Sequence, residues 1–272
     1  MGIRKDKDFI SFFDEKTGMY LRTGIIKHGR DTGIDPFMSS FPELLDVGIM
    51  GHCSHGQKGL CLRAGIECYQ NGPYRSDPNM ALEDFKSIAT QCRGKTYQIA
   101  LGGCGDPDQH EHFHEILQLC RSNEIVPNFT TSGLGVTPKL ARLCRQYCGA
   151  VAISWYRSSY TLEAVHTLLN EGVRTNIHYV LNTDTVEEAL RLLELHQFPK
   201  EINAVIFLLH KPIGLGTQEK VIAPENALFQ KLIKVISQLK LPYKIGFDSC
   251  TVPALVNHPG NIGMESLDTC EG

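Results

Sequence analysis

Three cysteines, Cys53, Cys61 and Cys68, fall within about sixteen residues of one another in the stretch PELLDVGIMGHCSHGQKGLCLRAGIECYQNG, residues 42–72. The segment around them is too polar and too rich in glycine to be apolar core. Thiolates are soft ligands suited to iron–sulfur clusters or zinc. A closed zinc site would take His52 or His55 as its fourth ligand, although the segment holds no Cys-x2-Cys pair. A cluster held by three cysteines would instead leave one iron open to a small molecule. Other cysteines read differently. Cys92, Cys120 and Cys144 sit on the apolar stripes of helical segments, where a free thiol behaves as a small hydrophobe. Cys148, one turn after Cys144, reads as packing at a helix end.

A second loop, LGGCGDPDQHEHFHEIL, follows the next apolar run. Gly102, Gly103 and Gly105 allow backbone to approach a ligand closely, and Asp106-Pro107 ends the turn. A tight strand-to-helix turn would use the same residues. His110, His112 and His114 alternate, so a helix would not bring all three to one face, and a three-histidine metal site is not expected.

The elements that must hold these loops are legible in the periodicity. Apolar runs at 44–50, 97–102, 125–130, 149–154, 174–181, 203–209 and 243–247 read as strands. Between them, stripes at i, i+3, i+4 and i+7 read as six helices. One of them opens on Thr137-Pro138, an N-cap followed by an N1 proline. Alternating strands and helices imply a parallel sheet with right-handed crossovers, either a closed or partial (β/α) barrel or a doubly wound sheet. In both, loops at the C-terminal ends of strands build the site. Residues 9–22 read as an N-terminal hairpin around a Lys-Thr-Gly turn, and 28–41 as a connection.

The chain has 272 residues and a net charge of -3, an ordinary globular balance that makes neither nucleic acid nor an anionic membrane an expected partner. The N-terminus lacks the apolar segment of a signal peptide, and no apolar run approaches the roughly 18 residues that span a bilayer. A cytoplasmic location follows. There, ten cysteines read as metal ligands, cluster ligands or core rather than a disulfide framework.

Cysteines after the first strand, GGCGDPDQH after the second and NFTTSGLG after the third together resemble the radical S-adenosylmethionine (radical SAM) enzyme superfamily. The likeness covers roughly residues 40–250 and includes Ser154 on the fourth strand, Asn176 on the fifth and HKPIGLG after the sixth. It departs from the usual Cys-x3-Cys-x2-Cys motif, since seven and six residues separate the cysteines here. It also places Cys104-Gly105-Asp106 where the family's Gly-Gly-Glu-Pro loop carries Glu-Pro.

This resemblance implies a partial (β/α)6-type TIM-like barrel over 41–248, an N-terminal hairpin and connection over 1–40, and an irregular C-terminal extension over 249–272. It implies that Cys53, Cys61 and Cys68 hold a 4Fe-4S cluster whose open iron chelates S-adenosyl-L-methionine. Reductive cleavage of that cofactor gives a 5'-deoxyadenosyl radical that takes hydrogen from a substrate. Gly102, Gly103, Gly105 and Asp106 would cradle the methionine end, with Thr131, Ser132, Ser154 and Asn176 as further cofactor contacts. Capping and interior hydrogen bonding are the ordinary alternatives for those four. The substrate is a small molecule or a peptide, and the electron donor a protein such as a flavodoxin or ferredoxin. Cys250 and Cys270 resemble the start of an auxiliary-cluster (SPASM or twitch) extension, cut short in this chain. Two competing classes remain: a non-catalytic zinc- or cluster-binding scaffold, and a metal-free barrel enzyme.

Overall fold

The computed structural model describes residues 2–36, 38–248 and 251. The extension over 249–272, with Cys250 and Cys270, therefore lies outside the described residues apart from Thr251. At the N-terminus β1 (Gly2–Lys5), β2 (Ile10–Asp14) and β3 (Met19–Arg22) form an antiparallel sheet, one strand more than the expected hairpin. The extra strand, GIRK, carries two basic residues and leaves Ile3 exposed, so it has no apolar signature of its own. A two-stranded ribbon, β4 (Ile26–Lys27) and β5 (Arg30–Asp31), occupies the expected connection. It turns at His28 and Gly29, both at positive φ, as a two-residue hairpin turn requires.

From Leu44 the chain alternates. β6 (Leu44–Met50) leads into two short helices, α1 (Ser54–Gln57) and α2 (Leu60–Arg63), that the sequence pattern does not announce. There follow α3 (Leu82–Cys92), β7 (Gln98–Gly103), α4 (Phe113–Ser122), β8 (Val126–Thr131), α5 (Pro138–Tyr147), β9 (Val151–Ser154) and α6 (Ser159–Asn170). The chain continues through β10 (Thr175–Leu181), α7 (Val186–Glu194), β11 (Ala204–Leu209), α8 (Ala227–Gln238) and β12 (Lys244–Phe247).

β6 to β12 pair in parallel, each beside the next in sequence. That order decides between the two architectures. Right-handed crossovers between neighbours all step the same way, so every helix lies on one face and there is no switch point. β12 does not pair back to β6, so the result is an open, partial barrel.

Alternation along each strand sorts side chains between the two faces. Ile49, Ile99, Phe129, Ile153, Ile177, Tyr179 and Phe207 meet Phe85, Leu117, Val165, Leu193 and Phe229 of the helices in one buried cluster. Each side chain buried this way contributes about 1.5–3 kcal/mol. Cys92, Cys120 and Cys144 are fully inside that cluster, as their helical positions imply.

Inward positions are small or polar instead. Gly48 pairs with Gly102, and Thr130, Ala152, Asn176, Ala204 and Lys244 lie in register with one another across the concave face. With mostly small or polar side chains here the barrel does not fill. A cavity of about 450 Å³ remains, lined by Ala100, Asn128, Thr130, Ala152, Asn176 and His178 among others. At its far end sits the β2–β3 turn. Phe13 packs on Tyr97 at 5.5 Å, and the Ser11 and Tyr97 hydroxyls are 3.0 Å apart. Among the described residues, no helix is long and apolar enough to cross a membrane.

Candidate functional site

The β6 exit is shaped by close backbone approach. Register with β7 slips between Gly48 and Met50, a bulge that re-aims the chain just ahead of Cys53. A β-carbon on Gly51 would stand 2.1 Å from the Pro78 carbonyl oxygen. The chain then runs through α1 and α2, broken at Gly59 and Gly65, both with left-handed backbone. Two short helical turns thus fill the seven- and six-residue intervals between the cysteines. That is the physical meaning of the unusual spacing.

Cys53 caps α1, and its Sγ accepts a hydrogen bond from the Gly56 N–H at 3.1 Å. Cys68 Sγ accepts one from the Gly72 N–H at 3.4 Å. A β-carbon on Gly72 would meet both sulfurs, at 3.4 Å from Cys68 and 3.6 Å from Cys53, so the two thiols flank one glycine. Cys61 is buried on α2. All the described cysteines are free of disulfides. Burial pushes the Cys53 thiol up to about 11, with the nearby charges of Asp106, Cys104 and Cys61 adding to it. Burial first, then Cys68, also pushes up Cys61. A bound cation reverses that balance and favours thiolate.

These features fit an iron–sulfur cluster. The thiols come from one loop, stay unlinked and receive peptide N–H groups of the kind that tune cluster sulfurs. Among the described residues no group of three or more His, Cys, Asp or Glu lies close enough together to hold a metal ion, Cys53, Cys61 and Cys68 included. Of the two histidines that could complete a closed zinc site, one is committed. His55 is engaged elsewhere: its Nε2 is 2.7 Å from the Tyr160 hydroxyl and its ring stacks on Tyr156 at 4.5 Å. Burial pushes His55 down to about 4, so it stays neutral in this contact.

Those contacts belong to a clamp that sequence reading misses. Arg157 Nη1 donates to the Ala64 carbonyl at 2.6 Å, and Nε pairs with Glu188. From the β11 exit, Thr217 donates to Glu67 through N–H at 2.7 Å and through Oγ1 at 3.0 Å, and the Leu215 N–H donates to the Cys68 carbonyl at 3.0 Å. The cysteine loop is therefore held from strands that follow it by roughly 90 to 150 residues. The signal present in the sequence is only HKPIGLG, whose Gly214 packs with no room for a β-carbon against the Tyr69 carbonyl.

The glycine loop lies against the same end. At Gly103, φ is +104° and a β-carbon would be 2.5 Å from the Met50 carbonyl; at Gly105, φ is +139° and the His52 carbonyl would be 2.1 Å away. Gly102 faces open space. Asp106 Oδ1 accepts from the Ser132 N–H at 2.7 Å and Oδ2 from its hydroxyl at 2.6 Å, tying the β7 exit to the β8 exit. Burial and the charge of Asp106 push Asp108 up to about 7, against a hydrogen bond from the Thr131 side chain.

The structure thus brings Cys53, Cys61, Cys68, Gly103, Gly105, Asp106, Thr131 and Ser132 to one end of the sheet. Ser154 ends β9, two residues before Tyr156. Asn176 does not join them. It lies near the start of β10, accepts from the Asn203 side chain at 2.7 Å and lines the cavity. His110 is buried, with Nε2 3.0 Å from the Met80 carbonyl and Nδ1 accepting from the His112 N–H, which leaves it a structural role.

No family model and no curated protein matches the sequence. Solved structures do match. Streptococcus suis SuiB bound to precursor peptide SuiA superposes at a TM-score of 0.63 and 15% identity, over 86% of this chain and 54% of that one. SuiB bound to S-adenosylmethionine gives 0.63 and 16%, over 86% and 55%. Native anSMEcpe with bound AdoMet gives 0.55 and 16%, over 71% and 59%. These are radical SAM enzymes, and this chain has their partial-barrel fold. It spans about half the length of the SuiB chains it matches.

Proposed function

We propose that this chain is a radical SAM enzyme in which Cys53, Cys61 and Cys68 hold a 4Fe-4S cluster. The observation that carries the reading is the arrangement of those thiols at the strand-exit end, with peptide N–H groups directed at two of the sulfurs. When bound, the cluster supplies the electron that splits the sulfonium of S-adenosylmethionine into methionine and a 5'-deoxyadenosyl radical.

The chain's own residues position and shield. Gly102, Gly103 and Gly105 keep side chains away from the β7 exit, so the methionine end of the cofactor can lie on backbone. Asp106 fixes that loop by its bonds to Ser132. Thr131, Ser132 and Ser154 supply polar groups at the β8 and β9 exits, and Asn176 supplies one deeper in the barrel. The substrate, a small molecule or a peptide, sits at the strand-exit end, against the loops that carry the cofactor contacts. A peptide is supported by the bound precursor peptide in SuiB. The electron donor is a flavodoxin or ferredoxin type of protein, and the compartment is the cytoplasm. The same reading divides the chain after 40 and 248 and gives Cys250 and Cys270 to an auxiliary iron–sulfur cluster.

Anaerobic reconstitution with iron and sulfide tests this. The expected result is brown protein that releases 5'-deoxyadenosine from S-adenosylmethionine with a strong reductant, and loss of both properties in Cys53→Ala, Cys61→Ala and Cys68→Ala. Colourless protein, or an unchanged 5'-deoxyadenosine yield in the triple variant, overturns it.

A further inference from the structure

A fourth thiol lies in the same wedge. Cys104 is only 2% exposed, yet it belongs to neither apolar cluster of the described residues, in contrast to Cys92, Cys120 and Cys144. Packing of hydrocarbon therefore does not account for it. Its backbone N–H donates to the Met50 carbonyl at 2.8 Å, which straps the β7 exit to the β6 exit three residues before Cys53. The next residue, Gly105, comes so close that a β-carbon there would stand 3.3 Å from Cys53 Cα. On its other side, the Cys104 thiol donates a hydrogen bond to the carbonyl oxygen of Gln70 at 3.8 Å, two residues past Cys68. Cys104 thus stands between the chain at Cys53 and the chain at Cys68, with its sulfur turned toward the cysteine loop.

We propose that Cys104 is an exchangeable fourth thiolate of this site. With no S-adenosylmethionine bound, Cys104 takes the iron that Cys53, Cys61 and Cys68 leave open, and the amino-acid end of the cofactor displaces it. The inference rests on the reading of the previous subsection. The exchange is a ligand substitution without electron transfer. The iron–sulfur bond to Cys104 breaks, bonds from the cofactor's amino nitrogen and carboxylate oxygen form, and the released thiolate takes a proton from solvent.

Two physical reasons favour it. A soft thiolate is a better iron ligand than water. A tethered thiol also competes intramolecularly, at an effective concentration far above that of a free ligand. The same competition weakens the apparent affinity for the cofactor, because only the fraction of protein with Cys104 displaced binds it.

The test compares reconstituted wild-type protein with Cys104→Ala and Cys104→Ser, all with the other cysteines intact. Iron and sulfide content, the electron paramagnetic resonance of the reduced protein with and without S-adenosylmethionine, and the Kd for S-adenosylmethionine are read for each. Both variants should load as fully as the wild type. Their spectra should differ from the wild type without the cofactor and coincide with it at saturation. Their cofactor binding should be tighter by about threefold or more. Equal loading with identical spectra and affinities overturns this proposal and leaves the radical SAM reading standing. Loss of loading in both variants, with Tm unchanged, also overturns it, since Cys104 would then be an obligatory ligand. Wild-type protein that takes up no iron and sulfide overturns both.

Discussion

At Gly105 a β-carbon would stand 2.1 Å from the His52 carbonyl, at a φ of +139° that L side chains rarely adopt. At Gly102, three positions earlier, the same atom would meet nothing within 4 Å. One glycine is needed because two backbones touch, and the other because the loop faces a space. Gly105→Ala should cost on the order of 3 kcal/mol or more and impair uptake of iron, because it pushes the β7 exit off the turn that carries Cys53. Gly102→Ala should change stability by less than about 1 kcal/mol. Its effect should fall on the Kd for S-adenosylmethionine, where a methyl group intrudes on the bound methionine end. Thermal unfolding and cofactor titration separate the two. Equal loss of Tm in both variants would place Gly102 among the structural glycines. Asp106 shows the same division in another form. The resemblance gives it to the methionine end of the cofactor, but both of its oxygens are committed to Ser132. A contact between residues 26 positions apart leaves no local trace in the sequence.

Among the elements, the parallel strands and the six long helices are readable from periodicity because each buries one face against the other layer. The Thr137-Pro138 start of α5 is an example: Thr137 Oγ1 accepts the Leu140 N–H at 3.2 Å, and Pro138 occupies the first turn. Thr137→Ala should lower stability by about 1 kcal/mol through loss of that cap, with iron content and cofactor affinity unchanged, as denaturant unfolding would show. A larger loss, or altered cofactor affinity, would mean that α5 also supports the β8 exit. The elements that periodicity does not reveal are those with no apolar face of their own. α1 and α2 have four residues each, fewer than a stripe needs. They persist because Tyr156, Arg157 and Tyr160 hold them from the β9 exit and the start of α6, and Thr217 holds Glu67 just beyond them. The site's frame is therefore tertiary even though its ligands are local.

For the molecule as a whole, the unfilled concave face has a consequence for acid stability. His178 stands half-buried on that face, with Nδ1 3.3 Å from Thr130 Oγ1, and burial pushes it down to about 4 despite the opposing charge of Asp248. His55 is pushed to about the same value by burial, helped by Arg63 and Lys58. An unfolded histidine takes up its proton near pH 6.5, so between about 6.5 and 4 the unfolded chain binds protons that the folded chain refuses. The contribution of each histidine is complete above that window and is lost as pH falls through it. Asp108 works in the opposite sense. Its folded value of about 7 lies above the ordinary carboxylate range, so its contribution is present at low pH and is lost as pH rises from about 4 to 7. The wild-type profile mixes these terms, and the variant His178→Asn separates them. Measured in metal-free protein under reductant, the stability lost between pH 6.5 and 4 should be smaller in the variant by about 2 kcal/mol, after allowance for solvent screening. Parallel profiles for the two proteins would mean that His178 takes up its proton in the folded barrel as easily as in the unfolded chain. The cavity would then be wet enough at this depth to solvate a charge.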